Sequence, residues 1–417
     1  MYQKITLPNG VRIITEAVPA VRSAAIGIWV GTGSRHEAAG ENGAAHFIEH
    51  MVFKGTAKRT AAQLAEEMDA VGGQINAFTT KENTCFYARV LDTHLAQATD
   101  ILCDMLFSSK FDENDVQTER GVILEEIGMY EDNPEDVCSE RLASAVYKGS
   151  ALARPILGSP RTLDKMTGES LRGYMASHYL GGDIVVALAG SFTDKDVEEL
   201  KARFEGVAPG MFSLGKAVSY ESAVTVKKKA TEQNHLTLAF PGLPYGHEDR
   251  YTLQLLSSML GGGMSSRLWQ EVREKRGLCY SVYSYGAGHA ETGLFAIYTA
   301  LGKDMEGEAL ATIASTVKEF VDHGVTQAEL DRAREQSKAN VLMGLESTQA
   351  RMSNLGRSEL LMNEVLSVNG IIERYDAVTR ESVRRLSETM FDWQRASLSA
   401  VGRVGAAEEY QNFLKKQ

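Results

Sequence analysis

Short apolar runs and amphipathic stretches alternate along the chain, and the alternation predicts a mixed fold of strands and helices. Residues 24–30 (AAIGIWV) and 184–190 (IVVALAG) are continuous apolar runs of strand length. Residues 74–79 and 84–90 alternate in the manner of half-buried antiparallel strands. Between these runs, residues 42–54 carry apolar positions at helical spacing and stop at Gly55. Thr60-Ala61-Ala62-Gln63 reads as a capping box opening a helix that ends at Gly72-Gly73. Long helices are expected at about 93–108 and 112–132; Asn133-Pro134 stops the second and starts another with Pro134 in its first turn. The opening residues 1–16 read as strand, Asn9-Gly10 turn and strand.

The second half replays this order. Residues 235–240 read as a strand, 248–260 as a helix ending in Gly261-Gly262-Gly263, and 265–275 as a helix ending at Gly277. Strands 280–285 and 293–299 follow, then long helices, then 397–402 (SLSAVG), which echoes 185–190. Laying Gly73 on Gly277 offsets the halves by about 200 residues, near half of the 417. Self-similarity at that length indicates a duplicated α+β unit and excludes a solenoid, whose period is shorter. The expected organisation is a domain at 1–210, a linker at 211–226 and a homologous domain at 227–417, because Pro209-Gly210 and a run of Ser, Gly and Lys interrupt the pattern there. The fold class is α+β: two homologous domains, each a mainly antiparallel sheet packed with helices.

Composition narrows the function. With 43% hydrophobic and 24% charged residues the chain has globular proportions, so disorder is excluded. Its 44 Lys+Arg against 55 Asp+Glu give a net charge of −11, which argues against a nucleic-acid or anionic-membrane partner. The longest apolar runs fall short of the roughly 18 residues a membrane helix needs, and residues 1–16 do not read as a targeting segment. Cys85, Cys103, Cys138 and Cys279 form no CxxC pair and read as buried thiols of a reducing compartment. A cytoplasmic location is the expectation.

Of nine histidines, only His46 and His50 are spaced four apart, in His46-Phe47-Ile48-Glu49-His50 within a helical pattern. On a helix, positions i, i+3 and i+4 share a face, so two imidazoles and a carboxylate converge. A catalytic zinc ion wants that arrangement: nitrogen ligands, an open position for water and a nearby base. HxxEH is the order found in inverzincins. A further ligand must come from elsewhere. Glu119, Val122 or Ile123, and Glu126 form one stripe of a long helix, and acids on an otherwise apolar face are costly unless something pairs with them. Glu125 projects about 100° away and reads as solvated.

HFIEH, with Glu126 of ERGVILEE placed 76 positions after His50, resembles the pitrilysin/insulinase family of zinc peptidases. The likeness is strongest to the branch holding mitochondrial processing peptidase and its bacterial relatives. It extends over essentially the whole chain, through LPNGVRI near the start, GGQINAFTTKENT at 72–84 and REKRGLCY at 273–280. Residues 150–158 (SALARPILG) depart from the His-Pro-Leu-Gly stretch that relatives often carry. The resemblance implies a clamshell-type peptidase with one Zn2+ per chain, held by His46, His50 and Glu126, with Glu49 as general base and Glu119 orienting a ligand imidazole. It further implies that Asn76, Ala77 and Phe78 offer a sheet edge to an extended peptide and that Arg273 and Tyr280 bind substrate. The helix corresponding to HxxEH in the second half reads Tyr251-Thr252-Leu253-Gln254-Leu255-Leu256-Ser257 and carries no motif.

The expected activity is zinc-dependent endoproteolysis of peptides or unfolded segments in an enclosed chamber, completed by a homodimer. The alternatives are a catalytically silent presenting subunit and a metal-stabilised peptide-binding module. Asp132, Glu135, Asp136 and Glu140 suggest either a preference for basic substrate residues or simply solvated helix charges.

Overall fold

The apolar runs of the first half assemble into a six-stranded sheet in the computed structural model, which describes residues 2–212 and 217–417. Its strands are β1 (Tyr2–Thr6), β2 (Arg12–Ala17), β3 (Ser23–Val30), β4 (Gln74–Thr79), β5 (Thr84–Leu91) and β6 (Ile184–Gly190), in the order β1-β2-β6-β3-β5-β4. All neighbours are antiparallel except β2 and β6. The central strands β3 and β6 are buried along nearly their whole length, which explains why they read as continuous apolar runs and not as alternating ones. Strand β4 lies at the sheet's edge.

The second sheet holds β7 (Val224–Lys228), β8 (Asn234–Pro241), β9 (Cys279–Gly288), β10 (Gly293–Leu301) and β11 (Ser397–Gly402), in the order β7-β11-β8-β10-β9. That order matches β2-β6-β3-β5-β4 strand for strand, including the single parallel pair, here β7 with β11. The duplication read from the sequence is therefore a duplication of topology, with β1 added to the first copy.

Helices α1 (Ala44–Met51), α2 (Ala61–Ala70), α3 (Leu95–Ser108), α4 (Glu113–Asp132) and α5 (Pro134–Val146) follow the expected pattern with shifted ends. Helix α1 is shorter than the stretch 42–54, because Gly43 adopts φ +103° at its start and turns follow Met51. Thr60 caps α2 in a capping box with Gln63. The stretch 265–275 is helical as expected, but after Arg267 and Leu268 it widens into a π-helix at Trp269–Glu274. Residues 213–216 of the expected linker lie outside the described residues, and residues 224–226 belong to β7.

The chain divides into two compact units that are not two contiguous stretches. The first comprises Met1–Ile127, Arg154–Lys216 and Met343–Ser367; the second comprises Gly128–Ala153, Ala217–Leu342 and Val368–Gln417. Helix α5 thus packs on β7, β8 and β11 of the second unit, and helix Thr348–Met362 packs on β2, β3 and β6 of the first. The cause is visible in the first sheet, where Ile14, Trp29, Val185 and Ala187 make one face apolar and need cover. Met352 and Leu355 supply it. Close approach needs Gly356, whose added Cβ would meet the Trp29 indole nitrogen at 2.2 Å. Glu359 on the same helix is 2% exposed and pairs with Arg12 at 3.1 Å and Lys4 at 2.6 Å. All four cysteines are free and buried.

Candidate metal centre

Helix α1 begins without a capping side chain, since its N-cap is Gly43. A side chain from earlier in the sequence does the work instead. Glu37 accepts hydrogen bonds from the Gly43 N–H at 2.8 Å, the Ala45 N–H at 2.9 Å and the Asn42 side-chain amide at 2.9 Å. A carboxylate there satisfies free N–H groups and favours the positive end of the helix. Burial pushes the Glu37 carboxyl up to about 7, against the pull of those three hydrogen bonds. Sequence reading missed this residue, because Asn42 at the start of the predicted helix already looked like an adequate cap. The departing loop 150–158 supports the same approach: Asn42 donates to the Pro155 carbonyl at 2.9 Å, and Arg154 donates to the Glu37 carbonyl.

Phe47, Ile48 and Met51 are fully buried on α1 and lock it against the sheet. His46, Glu49 and His50 lie on its more polar side. On α4, Val116 and Ile123 are buried, so Glu119 at 4% exposure and Glu126, half-buried, are carried on the packed face. The stripe therefore runs through Ile123; Val122 is 47% exposed and Glu125 is exposed.

This packing brings His46, His50 and Glu126 together. Their candidate ligand atoms all lie within 4.8 Å of one another, the one such grouping among the described residues. His46 Nε2 is 3.6 Å and His50 Nε2 3.5 Å from one Glu126 oxygen. Tetrahedral ligands at zinc distances stand about 3.4 Å apart, so the donor set fits a zinc ion with little movement. Burial, with the neighbouring His50 adding to it, drops His46 to about 3, which keeps its imidazole neutral and its lone pair available. His50 Nδ1 lies 3.1 Å from Glu119, and Glu119 also takes Lys54 at 2.5 Å. His46 Nδ1 is buried without a hydrogen-bond partner. Three protein donors leave a coordination position open, as in catalytic and not structural zinc sites.

Glu49 stands one position before His50 and accepts a hydrogen bond from the Thr79 hydroxyl at 2.6 Å. Burial raises its carboxyl above the ordinary range; the Thr79 bond and His50 oppose that, and the Glu126 charge adds to it. Asn76, Ala77 and Phe78 lie on edge strand β4. The Asn76 side-chain oxygen accepts from the Ala77 N–H at 2.8 Å, and the Phe78 ring stands edge-on to Trp29 at 5.5 Å. A groove of about 420 Å³, lined in part by Met68, Asp69, Asn76 and Tyr87, runs beside the start of β4.

Arg273 and Tyr280 are together in the second unit. The Arg273 guanidinium lies 3.9 Å from the Trp269 ring centre and 4.8 Å from that of Tyr280, which is 74% exposed. Trp269 and Arg273 stand four positions apart on one helix, a spacing that puts the cation over the indole ring. Glu135 accepts from the Tyr283 hydroxyl at 2.5 Å, Asp136 accepts from Asn133 at 2.6 Å, and Asp132 lies 3.7 Å from Lys229. These three acids thus have local partners.

Known proteins resemble this chain over nearly its whole length. Residues 12–160 match the family model "Insulinase (Peptidase family M16)", and residues 165–337 match "Peptidase M16 inactive domain". The chain is 44% identical over 411 residues to the uncharacterized zinc protease YmxG of Bacillus subtilis, covering 97% of this chain and 100% of that one. It is 43% identical to an uncharacterized zinc protease of Streptomyces coelicolor, over 96% of this chain and 89% of the relative. Among solved structures, a peptidase M16 inactive domain from Pseudomonas fluorescens superposes with a TM-score of 0.90 at 21% identity, covering 97% of this chain and 98% of the other. A protease from Helicobacter pylori gives 0.88 at 20% identity, over 96% and 99% of the two chains. Both show the two-domain α+β fold.

Proposed function

The chain belongs to the insulinase family, peptidase family M16, and from that membership we propose that it is an active zinc-dependent endopeptidase. The observation that carries the reading is the convergence of three metal-compatible donors within 4.8 Å, with the carboxylate of Glu49 beside them. Intact ligands and an intact base speak against a silent presenting subunit. A donor set with an open position speaks against a purely structural metal.

His46, His50 and Glu126 would hold the ion, and Glu119 would orient His50 through its second nitrogen. Zinc, when bound, supplies a Lewis acid that acidifies water and polarises a carbonyl. Glu49 uses the oxygen not engaged by Thr79 to take the proton of the attacking water, and delivers it to the departing amine as the peptide bond breaks. Substrate binds as an added strand on β4, where main-chain hydrogen bonds supply affinity across many sequences. Arg273, in contact with the Trp269 and Tyr280 rings, binds a substrate carbonyl or carboxylate, and the exposed Tyr280 hydroxyl donates to the oxygen that gains charge. Peptides and unfolded segments are the substrates, and a homodimer is the working assembly.

Cleavage of quenched peptides before and after a chelator, with zinc then restored, tests the reading. Chelator-sensitive turnover that zinc restores is the expected result. Bound zinc without turnover would favour the peptide-binding module.

A further inference from the structure

We infer that Thr79 is a positioning residue that couples substrate docking to the general base. The inference rests on the peptidase reading above and extends it to a residue outside the metal motif.

Glu49 reaches its position on three rotatable bonds, so its carboxylate needs a partner to hold one orientation. The Thr79 hydroxyl is that partner, at 2.6 Å from one carboxylate oxygen. Threonine is β-branched and stiff at χ1, so a hydroxyl on a strand is a firmer anchor than one on a longer side chain.

The strand that carries this hydroxyl is β4, and its register gives Thr79 a second role. The Thr80 N–H donates to the Asn83 carbonyl at 2.8 Å, and the ladder continues as Thr79 with Thr84, Phe78 with Cys85 and Ala77 with Phe86. Hydrogen-bonded and non-hydrogen-bonded pairs alternate in an antiparallel ladder. The backbone groups of Ile75, Ala77 and Thr79 therefore point out of the sheet, away from β5. The Ala77 N–H agrees, since its bond goes to the Asn76 side chain and not across the ladder. An extended peptide added at this edge would bond to these same groups. Thr79 thus offers its backbone to the substrate and its side chain to the base. A docked strand restrains β4 from its open side, and with it the orientation of Glu49.

Two substitutions test this: Thr79→Val, which keeps shape and removes the hydroxyl, and Thr79→Ser, which keeps the hydroxyl. With Val, kcat should fall about tenfold or more, the size expected for a lost hydrogen bond to a charged group. KM and zinc content should stay within about twofold, and Ser should recover kcat to within about threefold of the parent. Crystal structures of both variants supply a readout independent of turnover. In Thr79→Val the Glu49 carboxylate should leave its present position, and in Thr79→Ser it should keep it. Unchanged kcat in the Val variant, an unmoved carboxylate, or loss of zinc and folding that Ser does not rescue would each overturn the inference. Absence of chelator-sensitive cleavage by the parent protein would overturn the peptidase reading instead, and the position of the Glu49 carboxylate would still decide whether Thr79 holds it.

Discussion

The ring of His50 meets Glu119 through Nδ1 at 3.1 Å, and this contact decides which nitrogen faces the metal centre. With its Nδ1–H donated to the carboxylate, His50 leaves the Nε2 lone pair directed at the cluster, 3.5 Å from Glu126. Lys54 neutralises the far oxygen of Glu119, which makes a carboxylate at 4% exposure tolerable. The two acids of the α4 stripe therefore divide their roles by one helical turn on either side of Ile123.

That division predicts a graded response to substitution. Glu126→Gln should strip zinc or weaken its binding strongly, and Glu125→Gln should leave metal content intact. Glu119→Gln should fall between them, with affinity reduced roughly 10- to 100-fold. Metal analysis after dialysis against a zinc buffer reads all three, and equal zinc in the Glu126 and Glu125 variants would place the third ligand elsewhere.

Glu49→Gln separates metal binding from chemistry. The amide keeps volume and can still accept from Thr79, but it cannot take a proton. Zinc content should match the parent, while turnover should drop by about three powers of ten, since both proton transfers pass through this group. Activity within tenfold of the parent would remove Glu49 from the mechanism.

The buried carboxyl of Glu37 predicts a particular pH dependence of stability. Its folded value near 7 lies above the ordinary 4.5, chiefly because of burial. The folded state therefore holds a proton that the unfolded chain has already released across that interval. The stabilising contribution is complete below about 4.5 and is lost as pH rises toward 7, by about 3 kcal/mol in all. Glu37→Gln removes the titration. The stability difference, parent minus variant, should decline between pH 4.5 and 7 in denaturant unfolding and stay level above; a flat difference would show that the N–H donors keep Glu37 ionised throughout.

A fourth prediction concerns the helix Thr348–Met362. Its Met352 is fully buried against the first sheet, with its sulfur 3.5 Å from the Trp29 indole nitrogen. Met352→Ala should cost about 2–5 kcal/mol, and Gly356→Ala about 1–3 kcal/mol through overpacking against Trp29. Hydrogen exchange should show the loss in β3 and β6, strands distant in sequence from both substitutions. Faster exchange confined to the helix itself would argue against this packing.

Local pattern alone carried much of this protein. Strand and helix positions followed from periods of two and 3.6, and the duplication followed from two similar orders of elements about 200 residues apart. The pairing of His46 with His50, and the presence of Glu49 beside them, needed only helix geometry, because all three sit within five residues of one helix. Tertiary structure decided what depends on contacts between distant segments. It selected Ile123 over Val122 on the α4 stripe, placed Thr79 on Glu49 and Glu37 on the start of α1, and sent α5 and the helix Thr348–Met362 each to the unit built mainly from the other half of the chain. Periodicity says that a face must be covered; it does not say by which segment, since any apolar face of suitable size satisfies the same pattern. A hydroxyl or carboxylate partner leaves still less trace, because a lone Thr or Glu looks the same whether it meets water or a buried base.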